Sequence, residues 1–257
     1  MARPRNQDER RRQLLEATGL AIADNGLSGL RLKHIADRAG MSIGSVLYYY
    51  PDLDALLVEV HEQAVQQFYW ARVNATTAEP DPVRRLVLAV EHGIPDDVGD
   101  ATMRVIYELH AASSREDSHA VLLTRLWERE VSLYEEILRG GAAAGKFALR
   151  GEPRAIAETV VALEDAFDLH LTGRNSALDR QTAVRRLLDY LAMMTRTELS
   201  PVMQRSPVTE LPQVTELRQV SARPRARSGA GAAPTPGRTP PGTASDRTSS
   251  RSRSGSA

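Results

Sequence analysis

The chain has no cysteine among its 257 residues. That excludes a disulfide framework, thiolate chemistry and a thiol metal site. No stretch reaches the ~18 apolar residues that a membrane-spanning helix needs. The N-terminus is charged and lacks the apolar segment of a signal peptide, so a cytoplasmic protein with no membrane partner is expected. There is no Gly-rich phosphate loop, no nucleophile elbow, and no His-x-x-x-His or His-Glu-x-x-His pair. His92, His110, His119 and His170 are scattered, so no metal site is expected, and no cofactor. Strand-like alternation does not stand out between residues 53 and 199. Net charge is missing too, with 33 Lys+Arg against 33 Asp+Glu.

That last absence is a cancellation. Residues 1–50 carry 8 basic and 5 acidic side chains (+3), residues 51–199 carry 16 and 25 (−9), and residues 200–257 carry 9 and 3 (+6). A basic head on an acidic body suits contact with a polyanion at one end only. The head opens with the basic run Arg3, Arg5, Arg10, Arg11 and Arg12.

The most informative stretch of the head is Arg31 to Tyr50, RLKHIADRAGMSIGSVLYYY. Ile35, Ala36 and Ala39 form the apolar face of a short helix. Gly40 can take the left-handed conformation that ends a helix without a Cβ penalty. Met41 is the apolar turn residue, and Ser42 is a good N-cap for a second helix from Ile43 until Pro51. Val46 and Tyr50, four apart, should pack inward. Ile43, Ser45, Leu47, Tyr48 and Tyr49 are left outside, and Gly44 and Ser45 carry little bulk, so the backbone can approach base edges. Two short helices at a Gly-containing turn are the helix-turn-helix description; an ordinary helical hairpin shares part of this pattern. A leading helix over about Asp8 to Asp24, with Leu14, Leu15, Thr18, Ala21 and Ile22 as its stripe and Gly26 closing it, completes the unit.

Residues 8–60 resemble the N-terminal domain of the tetracycline-repressor (TetR) family. The resemblance is carried by Gly26, Ile35-Ala36, Ala39-Gly40-Met41-Ser42, Gly44-Ser45-Val46, Tyr48-Tyr49-Tyr50 and Leu56-Leu57. It implies an all-α, nine-helix architecture. The expected division is a basic arm (1–7), a helix-turn-helix domain (8–54), a helical ligand-binding and dimerisation domain (55–199) and a tail (200–257). Three departures from the family pattern stand out. Arg31 occupies the position where Ser or Thr usually caps the second helix. Leu47 replaces a frequent Tyr. Leu53 stands between Asp52 and Asp54 where Lys is common, so the usual phosphate contact from that helix start is not expected, although Asp52 is a fair cap.

Punctuation divides the body into helices near 53–76, 82–92, 97–113, 117–140, 153–172 and 179–199. In the last two, Ile156, Val160, Leu163, Phe167 and Leu171, and Val184, Leu187, Leu188, Leu191 and Met194, recur at helical spacing. One protomer can bury such stripes by itself. The resemblance implies instead that these helices pair with a second copy, with Val160, Leu163, Phe167, Leu171, Leu187, Leu188 and Leu191 at the interface. LEDAFDLHLTG (163–173) and RLWEREVSLYEEIL (125–138) look like the betaine-regulator (BetI-like) branch. Trp70, Met103, Tyr107, His110, Trp127, Tyr134 and Phe167 have the apolar-with-few-polar mix of a small-molecule pocket; core packing is the plainer reading of each. Glu164, Asp165 and Asp168 cluster on one helix. Acid–base work or cation binding is open to them, but a solvent- or partner-facing position is expected.

Residues 200–257 open with Pro201, Pro207 and Pro212 and continue in Ser, Arg, Gly, Ala, Thr and Pro. With almost no large apolar residue after Val220, nothing offsets the ordering entropy, and a disordered tail is expected. Together these readings predict a DNA-binding transcriptional regulator. The resemblance implies a repressor that holds a near-palindromic operator as a homodimer and is released by a small-molecule effector; an activator or a ligand-independent binder uses the same head. Arg31, Lys33, His34, Tyr48 and Tyr49 are assigned to phosphates, and Ser42, Ile43, Gly44, Ser45 and Leu47 to the reading face.

Overall fold

The helix ends follow from local chemistry in the sequence. The computed structural model describes residues 3–95 and 100–201, with side chains from residue 7 onward. Among these are nine α-helices and no strand: α1 (Arg3–Gly29), α2 (Leu32–Ala39), α3 (Ile43–Tyr49), α4 (Leu53–Thr77), α5 (Pro82–Gly93), α6 (Ala101–His110), α7 (Asp117–Ala143), α8 (Pro153–Thr172) and α9 (Arg180–Thr195), with one 3₁₀ turn at Ala111–Ser114. Asp52, Asp81, Asp100 and Asp179 each accept a backbone N–H in the first turn of α4, α5, α6 and α9, the role that makes Asp a favoured N-cap. Pro82 and Pro153 sit in first turns, where a missing N–H costs nothing.

Three expected boundaries shift. α1 begins at Arg3 rather than near Asp8 and continues past Gly26, whose φ of 67° and ψ of 167° break the helix one turn before its end. The helix expected over 97–113 runs as α6 from Ala101 and gives way to the 3₁₀ turn. α9 stops at Thr195, where Arg196 turns left-handed. The expected disordered tail falls, from residue 202 on, outside the described residues, as do the side chains of Arg3 and Arg5.

Two apolar clusters hold the fold. One joins α1–α3 to α4, α6 and α7 through Leu14, Ile22, Ile35, Val46, Tyr50, Leu56, Val60, Ile106 and Leu126. The head therefore shares its core with the first turns of α4 and the length of α6. The other lies among α5, α7, α8 and α9, around Leu86, Val90, Tyr134, Leu138, Ile156, Val160, Leu187 and Leu191. In α7, Gly141 lets the Phe147 ring lie flat on the helix; a Cβ there meets the ring directly. Among the described residues, no helix is long and apolar enough to cross a membrane.

Candidate functional site

The head presents the geometry read from its sequence. Gly40 caps α2 at φ 63° and ψ 35°, and its N–H reaches back to Asp37. Ser42 stands at the N-cap of α3 in extended backbone, and its hydroxyl accepts from Ser45 N at 3.1 Å. Arg31 heads α2 without any side-chain cap; its guanidinium instead donates to the carbonyls of Ser28 and Leu30, while its side chain stays exposed. Ile35, Ala36, Val46 and Tyr50 are buried, with Ala39 and Met41 half-buried at the turn. Burial, the largest effect on it, pushes the Tyr50 hydroxyl up to about 12.

The outward face is where the sequence pattern puts it. Lys33, His34, Ser42 and Gly44 are exposed, as are Ile43 (44%), Leu47 (41%) and Tyr48 (73%), and Ser45 is half-buried between them. Tyr49 is half-buried and meets the Tyr48 ring edge-on at 5.2 Å. Arg10, Gly40, Met41, Ser42, Gly44, Ser45 and the two tyrosines line one open concavity. In the sequence Arg10 is no more than one member of a basic run. The four-residue rhythm of α1, which brings its exposed side beside the start of α3, is what makes it a groove residue.

The second candidate site lies between α4, α5, α6, α7 and α8. Arg72 on α4 is fully buried and makes five hydrogen bonds. Its Nε donates to Ala89 O (2.8 Å), Nη1 to Glu130 (2.9 Å), and Nη2 to Tyr134 Oη (2.6 Å) and both Glu164 oxygens (2.7 and 2.8 Å). Tyr134 in turn donates to Glu164. Gly93 ends α5 against this cluster; a Cβ there stands 2.5 Å from Glu164 Oε1 and 2.7 Å from Arg72 Nη2. Burial pulls the Arg72 pKa down, but Glu164, Tyr134 and Glu130 more than reverse it, so the guanidinium stays charged. One cation does not offset every acid: burial and the acids around it push Glu130 up to about 8, and burial raises Glu164.

Beside the cluster is a small cavity in which about 10 Å³ admits the centre of a water molecule. That is room for roughly one water. Of the seven residues expected to form a pocket, Met103, Tyr107 and His110 line it, and Tyr134 stands one hydrogen bond behind. Trp127 and Phe167 pack instead on the α5–α9 core, and Trp70 is 42% exposed, its Nε1 donating to Gln66.

The structure corrects three expectations. Glu164 and Asp168 do not face solvent: each is 3% exposed and turned to Arg72 or the cavity, because 156, 160, 164 and 168 form the inward stripe of α8. Val160, Leu171, Leu187, Leu188 and Leu191 are at most 7% exposed inside the protomer's own core, so they offer no surface to a partner, and Leu163 and Phe167 are half-buried there. His110 and His119 are not scattered. With His61 they form an interior cluster drawn from three helices, His61 Nδ1 lying 2.9 Å from His119 Nδ1 and the His61 and His110 rings 5.1 Å apart. Burial first, and the neighbouring imidazoles second, lower His61 to about 3 and His110 to about 4. Among the described residues no group of three or more His, Asp or Glu is placed to hold a metal ion.

Two stretches of the chain match known families. Residues 14–60 match the family described as bacterial regulatory proteins, tetR family, and residues 82–196 match the C-terminal domain of BetI-type transcriptional repressors. The HTH-type transcriptional regulator BetI of Paraburkholderia xenovorans is 29% identical over 189 residues, covering 72% of this chain and 93% of that protein. Among solved structures, a TetR transcription regulator from Haloarcula marismortui superposes at a TM-score of 0.67 with 18% identity, over 73% of this chain and 98% of the other. A transcriptional regulator from Saccharomonospora viridis in complex with choline does so at 0.67 with 21% identity, over 72% and 96%.

Proposed function

The chain belongs to the tetR family of bacterial regulatory proteins and is a helix-turn-helix transcriptional regulator with a BetI-type C-terminal domain; from that premise we propose that it is a repressor, which binds a near-palindromic operator as a homodimer and releases it when a small molecule enters the cavity beside Arg72. The observation that carries the reading is the outer face of α3, Ile43, Ser45, Leu47 and Tyr48, on a helix held by its Ser42 cap next to Arg10. Ile43 and Leu47 suit thymine methyls and Ser45 either base edge. Arg31, Lys33, His34 and Tyr49 suit phosphates.

Pairing of two copies is assigned to the outer faces of α8 and α9. Ala155, Thr159, Ala162, Ala166 and Leu169 (58% exposed) follow one another at three- and four-residue steps along α8, and Met193 (54%) is exposed on α9. Small side chains at that spacing let two helices approach closely, and a two-fold pair sets two reading helices about 34 Å apart. The binding site for an effector is supported by the cavity and by the choline bound in the Saccharomonospora regulator. The protein is assigned to the cytoplasm, where its operator is.

Release has a physical route. Phe68 on α4 and Tyr107 on α6 wall the cavity, and both helices run into the head's core. Glu108, next to Tyr107, accepts the Leu27 N–H at 2.9 Å where α1 breaks at Gly26. A ligand acts on DNA only through its different affinity for the two head spacings. The test is operator binding by full-length protein carrying Ser45→Glu or Tyr48→Ala. Both are expected to fold with unchanged helicity and to lose roughly 10- to 100-fold in affinity. Unchanged affinity in both contradicts the assigned face.

A further inference from the structure

The cavity's charge is unbalanced in a way that specifies its ligand. Glu130, Glu164, Asp165 and Asp168 all line it, and among the described residues Arg72 is the one cation in hydrogen-bond contact with the group, its donors spent on Glu130 and Glu164. Asp165 is the outermost, with an exposed side chain. Asp168 is different: it is 3% exposed, lines the cavity, and its Oδ1 has no hydrogen-bond partner. An unpaired buried carboxylate is costly unless something completes it. Neither neighbouring hydroxyl is free to do so. The Tyr107 hydroxyl donates to Asp165 O at 3.1 Å, and the Tyr134 hydroxyl is spent on Glu164.

We propose that the ligand of this cavity is a small protonated amine or amidine, whose N–H donates to Asp168 Oδ1 and whose positive charge completes the acid cluster around Arg72. The proposal rests on the reading of the cavity as the effector site and adds the chemistry of the effector. It also separates this chain from its choline-bound neighbour. A quaternary ammonium has no N–H to give a carboxylate and is held by aromatic faces instead. In this chain both tryptophans lie outside the cavity, leaving Phe68 and Tyr107 as its carbocyclic rings. The cavity as it stands has room for roughly one water, so a ligand of few heavy atoms is favoured and binding requires Phe68 and Tyr107 to move apart.

The groups facing Asp168 set its protonation. Burial raises its pKa well above the usual range, and Glu164, Glu130 and Asp165 add to this more than Arg72 relieves it. His110 on α6 contributes no charge near neutral pH, being lowered to about 4 by burial. These surroundings favour the protonated form of Asp168, and an entering ammonium favours the carboxylate: a proton held there leaves to buffer as the N–H···O hydrogen bond forms.

Calorimetry of the full chain with putrescine, agmatine, choline and 1,4-butanediol tests this, run in two buffers of different ionisation enthalpy. Putrescine or agmatine should bind with release of protons to the buffer, and butanediol, the neutral isostere of putrescine, should not bind. Asp168→Asn should weaken amine binding ~10- to 100-fold while leaving the ligand-free Tm equal or higher, since the isosteric amide removes an unpaired buried acid. Equal binding of choline, amine binding untouched in Asp168→Asn, or no amine binding at all overturns the proposal. Operator affinity measured beside it keeps the two readings apart. An amine that binds but leaves the operator held supports this site and counts against release; release by a neutral molecule does the reverse.

Discussion

At the scale of single residues, Arg72 decides most. A buried guanidinium with Glu130 and Glu164 on it is weak evidence for net stability, yet removing one partner strands the others. Arg72→Ala is expected to cost about 3–5 kcal/mol in urea denaturation. The sign of its pH dependence follows from the acids left behind. Already raised in the intact protein, they rise further without Arg72. Stability tied to a raised carboxyl is present at low pH and lost as pH climbs through the folded value. The variant should therefore be less stable at pH 8 than at pH 6, and a flat profile contradicts the network. Nothing in the sequence marked Arg72 out. It follows Ala64 and Phe68 and precedes Thr76 at four-residue steps on α4, but a charged residue in an apolar rhythm reads as the stripe's edge. The same holds for Glu164 and Asp168 on α8. Only their mutual approach, with Arg72 and Glu164 92 residues apart in the chain, shows that they lie inside.

Among elements, the head was legible nearly to the residue, because its signals are local: Gly40 at positive φ, Ser42 and Asp52 as caps, Val46 and Tyr50 one turn apart and both buried. α8 was placed equally well and α9 at its start, though it stops at Thr195, yet which of their faces meets a partner was not. Both faces have helical period, and period says nothing about whether a stripe is covered by the same chain or by another. Beside the shared apolar core, one polar joint between head and body is the Glu108 carboxylate on the Leu27 N–H. Glu108→Ala removes one hydrogen bond and should cost about 1 kcal/mol. Its larger effect belongs to coupling. The effector should bind the variant as before, while the drop in operator affinity on ligand binding shrinks. Titrating operator release against ligand in both proteins checks this, and undiminished release assigns the coupling to α4 alone.

Over the whole molecule, a basic head on an acidic body suits contact with a polyanion at the head alone, and the interior histidines are expected to weaken the fold in acid. His61 and His110 are depressed to about 3 and about 4, below the ~6.5 of an unfolded chain. Stability from a depressed histidine is present above the unfolded value and drains as pH falls toward the folded one. Between pH 7 and 5, His61 alone should account for about 2 kcal/mol of lost stability. His61→Leu should flatten that limb in urea denaturation. A wild-type stability unchanged from pH 7 to 5 contradicts neutral burial of His61 and His110. The central claim is the regulator itself, and footprinting of the full chain on fragments of its own and neighbouring promoters tests it most directly. Two protected half-sites with centres about 34 Å, or a multiple of one helical turn, apart are predicted, surviving an increase in salt that removes nonspecific binding. Protection that is uniform along every fragment and vanishes with salt contradicts it.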